Sequence, residues 1–171
     1  AGTFAMSESQ VLAFGIGLNV TAGIGAVAFA HLDDRIGSRR TIVIALVALL
    51  VCGAGALLAP TAAGFWAAGL ALGVFVGPAQ AASRSLLAHM APPAQRNQLF
   101  GLFTLSGKAT AFLGPMLVGM ATLASGSQRI GMTVILGLWI AGLALLITVP
   151  ADSGRPGRTA TTLRTPAPGR P

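Results

Sequence analysis

At 171 residues, with 54% hydrophobic and 9% charged side chains, the chain is far from the roughly 25% charged content of a soluble domain and reads as an integral membrane protein. Its net charge of +7 does not describe a nucleic-acid surface, because the basic residues are neither gathered on one polar helix nor interleaved with stacking aromatics. The one cysteine, Cys52, falls in an apolar run, which leaves no disulfide framework and no Cys/His metal site within the chain.

The sequence begins at Ala1 and shows neither a basic n-region nor a small-residue cleavage site after a short apolar core, so the start reads as a truncation, with Met6 as an internal initiator the alternative. About 20 apolar residues cross a bilayer as a helix. Five stretches qualify, at about 9–30, 41–59, 62–83, 98–123 and 130–149, and they predict an all-α, polytopic bundle of five transmembrane helices. Residues 1–8 read as the remnant of an extracytoplasmic loop. The short connections at 31–40, 60–61, 84–97 and 124–129 imply antiparallel neighbours. From 151 to 171 the chain is rich in Pro, Gly, Thr and Arg with few large apolar residues, and it reads as a disordered tail.

The connection at 31–40 runs Ala30-His31-Leu32-Asp33-Asp34-Arg35-Ile36-Gly37-Ser38-Arg39-Arg40 and holds two of the chain's four acids. An uncompensated Arg or Asp costs about 2.5 to 3.5 kcal/mol in hydrocarbon on insertion scales, so this stretch is expected as a loop at the membrane surface. Placing it in the cytoplasm puts Arg35, Arg39, Arg40, Arg84, Arg96 and the four tail arginines on that side and only Arg129 on the other. Basic residues are retained on the cytoplasmic side, so the amino end starts outside and the carboxyl tail ends inside, in a multi-pass protein of the cell membrane.

Three spans carry a small and polar face at helical spacing. They are Gly15, Asn19, Ala22, Gly23, Ala26 and Ala30 in the first, Gly69, Gly73, Gly77, Gln80 and Arg84 in the third, and Gly101, Thr104, Lys108, Ala111 and Pro115 in the fourth. Small residues let backbones approach, and polar ones must face protein or water, so these spans are expected to look inward. The second and fifth spans are nearly devoid of polar residues and are expected to face lipid over most of their girth. Lys108 lies about 15 Å inside its span, near mid-bilayer, as a cation for an acidic solute group or a carboxylate elsewhere, or as a structural lysine reaching the interface. Asn19 can hydrogen-bond a solute or a neighbouring helix. Gln80, Ser83 and Arg84 share one face at the cytoplasmic end of the third span, placed for an inner gate or an interfacial anchor.

Enzyme readings fail on the residues themselves. The run from Gly101 to Ala109 has five spacers where a phosphate loop has four, and Ala109 stands where Ser or Thr should hold magnesium. His31 and His89 sit at membrane edges, away from any serine within the bilayer. No catalytic residue, metal or cofactor is implied.

Asp34-Arg35, Gly37 and Arg39-Arg40 resemble the signature loop of the major facilitator superfamily, with Ala30 where the pattern has its first glycine. The succession from Gly77-Pro78 through Gln80, Ser83-Arg84-Ser85-Leu86, Pro92, Phe100-Gly101-Leu102-Phe103, Gly107-Lys108 and Gly114-Pro115 is similar to the carboxyl half of that superfamily's autophagy-type vacuolar effluxer branch. The resemblance covers about residues 9–150 and makes the five spans equivalent to helices 8 to 12 of a twelve-helix transporter. It implies alternating access by two halves, with an amino-terminal half and the lipid bilayer as partners and no nucleic acid. It also implies a small-molecule substrate, such as an amino acid for efflux, in a cavity bordered by the first, third and fourth spans, on whose polar faces Asn19, Gln80, Thr104 and Lys108 are the residues expected to meet it. By the same resemblance Asp34 caps a helix of the other half and Arg35, Arg39 and Arg40 pair with acids there, a latch whose turn contains Gly37 and which the gate residues Ser83 and Arg84 adjoin, the alternative being that these charges only set the topology. A non-transporting scaffold associating through its glycine faces, or a self-associating channel, remains the alternative.

Overall fold

The computed structural model describes residues 7–148 and is all-helical there: α1 (Glu8–Ile36), α2 (Ser38–Leu58), α3 (Ala62–Met90), α4 (Arg96–Ser125) and α5 (Gln128–Thr148). A short 3-10 turn, Pro93–Gln95, leads into α4. All five helices are long and apolar enough to cross a membrane. The readings of residues 1–6 as loop and of 151–171 as a tail lie outside the described residues.

Local chemistry sets the helix ends. Ser7 caps α1, accepting from the Gln10 amide at 3.3 Å while the Gln10 side chain accepts from the Ser7 amide at 3.0 Å, a reciprocal capping box. Thr61, following Pro60, caps α3 by accepting from the Gly64 amide at 3.2 Å. Gly126, at φ 66°, ends α4 in the left-handed region that glycine adopts without strain.

The expected surface loop at 31–40 is overturned. Helix α1 continues through His31, Leu32, Asp33, Asp34 and Arg35, α2 begins at Ser38, and Gly37 alone is non-helical. Likewise α3 runs on past 83 to Met90. Length supplies the physical reason: 29 residues rise about 44 Å against a hydrocarbon core of about 30 Å. The charges escape the hydrocarbon because the helix itself projects beyond it.

Packing starts from the parallel pair α1 and α3. Gly69, Gly73 and Gly77 recur every four residues on α3 and receive Phe14, Thr21 with the Leu18 carbonyl, and the Ala22 carbonyl of α1. From the other side, Gly25 lies against the carbonyl of Val74. Pro78 follows Val74 by four residues and has no N–H to give that carbonyl, so the oxygen is left for the α1 backbone to approach. Phe14, near the amino end of α1, packs over Phe65 and Trp66, with ring centroids 5.5 and 5.2 Å apart, and Phe29 meets Phe75 edge-on at 5.7 Å.

Helix α2 lies antiparallel to this pair, and its stripe Thr41, Ile42, Ala45, Leu49 and Gly53 is buried. The expectation that the second span faces lipid over most of its girth is therefore corrected. Without polar side chains to solvate, α2 sinks one face between α3 and α5 and leaves Ile44, Val47, Val51 and Leu58 exposed on the other. Ile42, Ala82 and Leu86 form the core there, backed by Leu46 and Leu146. Helix α4 leans on α5, where Gly131 admits Thr122 and the Val118 carbonyl, and it has no buried residue.

The seam glycines are separable by experiment from those in open space. Gly25→Ala or Gly77→Ala puts a methyl group into a facing carbonyl and should cost about 1–3 kcal/mol, whereas Gly15→Ala and Gly23→Ala, with nothing within 4 Å, should not destabilise. Denaturation in mixed micelles would measure the difference, and equal effects at all four positions would contradict this packing.

Candidate solute pathway and the elbow between the first two helices

The turn from α1 into α2 is a single residue. Gly37 has φ 87° and ψ 148°, a conformation essentially closed to residues with a Cβ. Nothing lies within 4 Å of where its Cβ would be, so backbone torsion, not crowding, demands glycine. Its amide donates to the Asp33 carbonyl at 2.9 Å, and its own carbonyl accepts from the Thr41 amide at 3.2 Å and from Thr41 Oγ1 at 3.3 Å.

Side chains tie this elbow to its neighbours. Ser38 Oγ, in a residue 8% exposed, lies 3.2 Å from Asp33 Oδ2 and 3.0 Å from Ser85 Oγ on α3. The other Asp33 oxygen, Oδ1, is buried without a hydrogen-bond partner. Asp33 and Asp34 both border a cavity of about 230 Å³ between α1, α2 and α3, walled also by Ala26, Phe29, Ala30, Thr41, Pro78, Ala81, Ala82 and Ser85. Neither Asp33 nor Ser85 stands out in the sequence, since the acid is next to the motif's own Asp34 and the serine is one of several in the chain.

The predicted latch residues divide. Arg39 turns inward and donates from Nη2 to the Ile147 carbonyl in the last turn of α5 at 3.0 Å, a cation at a helix carboxyl end. At the opposite membrane surface Arg129 of α5 donates to the Ala59 carbonyl that ends α2, also at 3.0 Å. The antiparallel α2–α5 pair is thus pinned at both ends. Asp34, Arg35 and Arg40 are exposed and make no hydrogen bond or ion pair among the described residues. Ser83 donates to the Ala79 carbonyl of its own helix at 2.6 Å, and Arg84 is exposed.

The predicted solute-facing residues lie on three helices, and no hydrogen bond joins any two of them. Asn19 donates to the Gly15 carbonyl at 2.9 Å and Thr104 to the Phe100 carbonyl at 2.9 Å, each within its own helix. Gln80 and Lys108 are exposed. Lys108 is about 18 Å along α4 from Arg96, on a face where Gly101, Thr104 and Ala111 are also uncovered. Two further cavities are mostly or wholly apolar. One of about 150 Å³ lies between Phe14 and Leu18 of α1 and Met132, Ile135 and Trp139 of α5. The other, of about 380 Å³, opens between Leu86, Leu87 and Met90 of α3, Phe103 of α4 and Gly142 and Leu146 of α5.

Comparison with known proteins gives these positions a family context. The family model described as vacuole effluxer Atg22 like matches residues 1–158. An uncharacterized MFS-type transporter of Bacillus subtilis, YxiO, is 23% identical over 134 residues, which is 78% of this chain and 31% of that protein. Autophagy-related protein 22 of Cryptococcus neoformans is 30% identical over 83 residues, 48% of this chain and 15% of its own length. Autophagy-related protein 22-2 of Emericella nidulans is 32% identical over 87 residues, 51% of this chain and 15% of its own. The chain therefore spans less than a third of the length of these curated relatives. No solved structure matches.

The elbow's backbone and its arginines make separate contributions to stability. Gly37→Ala should lose about 1–3 kcal/mol through backbone strain. Arg39→Ala should lower the unfolding temperature by releasing the α5 terminus, while Arg40→Ala, exposed and unpartnered, should leave it unchanged. Thermal unfolding in detergent checks all three, and a larger loss for Arg40 than for Arg39 would overturn the assignment.

Proposed function

The chain belongs to the Atg22-like vacuole effluxer family of transporters, and we propose that it forms the carboxyl-terminal part of a secondary transporter that moves a small solute by alternating access. The observation that carries this reading is the uncovered polar face of α4. Lys108 sits deep along a membrane-length helix, with Gly101, Thr104 and Ala111 beside it and no protein over it. An intramembrane cation facing lipid is costly, so such a face belongs against a solute pathway or against further protein that borders one.

On this reading Lys108, with Thr104 on the same helix and Asn19 and Gln80 on α1 and α3, meets the solute. The substrate class is an amino acid or similar small polar molecule, with the lysine matched to its carboxylate. Asp34, Arg35 and Arg40 are exposed at the end of α1 and the start of α2, which leaves them available to charged groups of an amino-terminal half. Gly37 holds the turn that presents them. Arg39 contributes from within, by fixing α2 to α5. The protein is multi-pass, with the elbow and the carboxyl tail in the cytoplasm and the cell membrane as its site. Self-association through the third span's glycines is a poorer account, because Gly69, Gly73 and Gly77 are already filled by α1.

Reconstituting the intact gene product in proteoliposomes and following a mixture of radiolabelled amino acids tests the proposal. Saturable uptake is expected. Asp34→Asn and Lys108→Gln should each slow it by about tenfold or more, the equivalent of about 1.4 kcal/mol, at unchanged protein content of the vesicles. Absence of uptake by the wild-type protein, or wild-type rates in both variants, would refute the reading.

A further inference from the structure

The acid that the signature pattern does not use is the one most firmly built into the elbow. Asp33 accepts the Gly37 amide on its carbonyl at 2.9 Å, so its backbone closes the last turn of α1. Its carboxylate Oδ2 lies 3.2 Å from Ser38 Oγ, across the non-helical residue at the head of α2. The same Ser38 oxygen lies 3.0 Å from Ser85 Oγ, 47 residues later on α3. Three helices therefore meet at one hydroxyl in a residue that is 8% exposed, next to Thr41 at 1%. Asp34, adjacent in sequence, borders the same cavity but is exposed and makes no hydrogen bond among the described residues.

A hydroxyl has one proton, and here it lies between a carboxylate and a second hydroxyl. The link from α1 to α3 runs through Ser38 and needs both partners, so removing either breaks it and the contributions of Asp33 and Ser85 are coupled. Side-chain entropy opposes any fixed arrangement at a membrane surface, where water competes for every donor. A buried, three-helix contact is the means by which this elbow resists that competition. Gly37 supplies the turn, but glycine is also the residue with the most backbone freedom, and something must hold its conformation.

We propose that Asp33 is a positioning residue for the latch: through Ser38 and Ser85 it fastens the α1–α2 elbow to α3, so that Asp34, Arg35 and Arg40 are held in a defined orientation on the exposed side. This inference rests on the transport reading for its consequence and on the geometry alone for the clasp itself. The two are therefore tested by different readouts.

Amide hydrogen exchange of the elbow, residues 37–42, in the intact gene product in lipid nanodiscs reads the clasp. Asp33→Ala and Ser85→Ala should each accelerate exchange by about tenfold, and the double variant should exchange no faster than the quicker single one. Asp33→Asn keeps an acceptor oxygen for Ser38 and should stay within about threefold of wild type. In the amino-acid uptake assay Asp33→Ala should lower the maximal rate and leave the half-saturating concentration unchanged, with Asp33→Asn restoring most of the rate. Unchanged exchange in both alanine variants, additive acceleration in the double variant, or an Asn variant as impaired as Ala would overturn the clasp. Wild-type uptake in Asp33→Ala would overturn the positioning role. Wild-type protein that carries no amino acid, with the exchange pattern as expected, would refute the transport reading while supporting the clasp.

Discussion

Backbone contact between α1 and α3 is the constraint on which the rest of the molecule depends. In a bilayer, apolar side chains gain little by leaving lipid for protein, so helices hold together through close packing and hydrogen bonds. The glycines of α3 provide that closeness, each receiving a different part of α1. Gly25 completes the seam from the opposite side by admitting the Val74 carbonyl that Pro78 leaves without its helical donor. A proline within a membrane helix must have its freed carbonyl satisfied locally, and here the neighbouring backbone approaches it. Gly25 is the single buried residue of α1, which shows how narrow the contact is and how much of the helix remains exposed.

This seam determines what happens at the α1–α2 elbow. With α1 and α3 locked in parallel, their last turns project side by side beyond the hydrocarbon, bringing Ser85 within reach of the elbow. Helix α2 returns antiparallel along both and carries its small and apolar stripe into the space they leave. Arg39 and Arg129 then fasten α5 to α2 from opposite membrane surfaces, each guanidinium meeting a carbonyl at a helix carboxyl end. Four helices form a connected block by this succession, while α4 joins it mainly through α5.

Much of this was legible in the residues. Composition identifies a membrane protein, five apolar stretches become five helices, and the hinge motif together with the Gly77-to-Pro115 succession points to the family that the comparisons establish. The small faces of α1 and α3 were visible, but their exact partners were not. Gly15 and Gly23 match the expected spacing and face open space, while Gly25, two residues on, bears the contact. Spacing within one helix cannot show where its neighbour lies, and a glycine-rich helix offers several equivalent stripes. The hinge reads as a loop in the sequence for a related reason: charge suggests the end of a helix, when it limits only the depth to which the helix can be immersed. Burial of α2 could not be inferred from its own side chains, because an apolar surface suits lipid and protein equally well.

Adjacent acids in the same turn border one cavity and yet differ in their partners, since Asp33 is tied to the elbow and Asp34 is exposed. Gly37 permits the sharp reversal because it alone tolerates φ 87°, yet the same permissiveness would let the reversal wander. Asp33 takes the Gly37 amide on its carbonyl and the Ser38 hydroxyl on its carboxylate, whereas Asp34, one residue further round the helix, is exposed and makes no hydrogen bond among the described residues. An exposed charge gains little from a single contact in water, where screening and side-chain entropy offset it. It becomes effective against a moving partner only if its own orientation is already fixed. On the proposed transport reading, the exposed charges at this elbow therefore depend on the contacts that fix it.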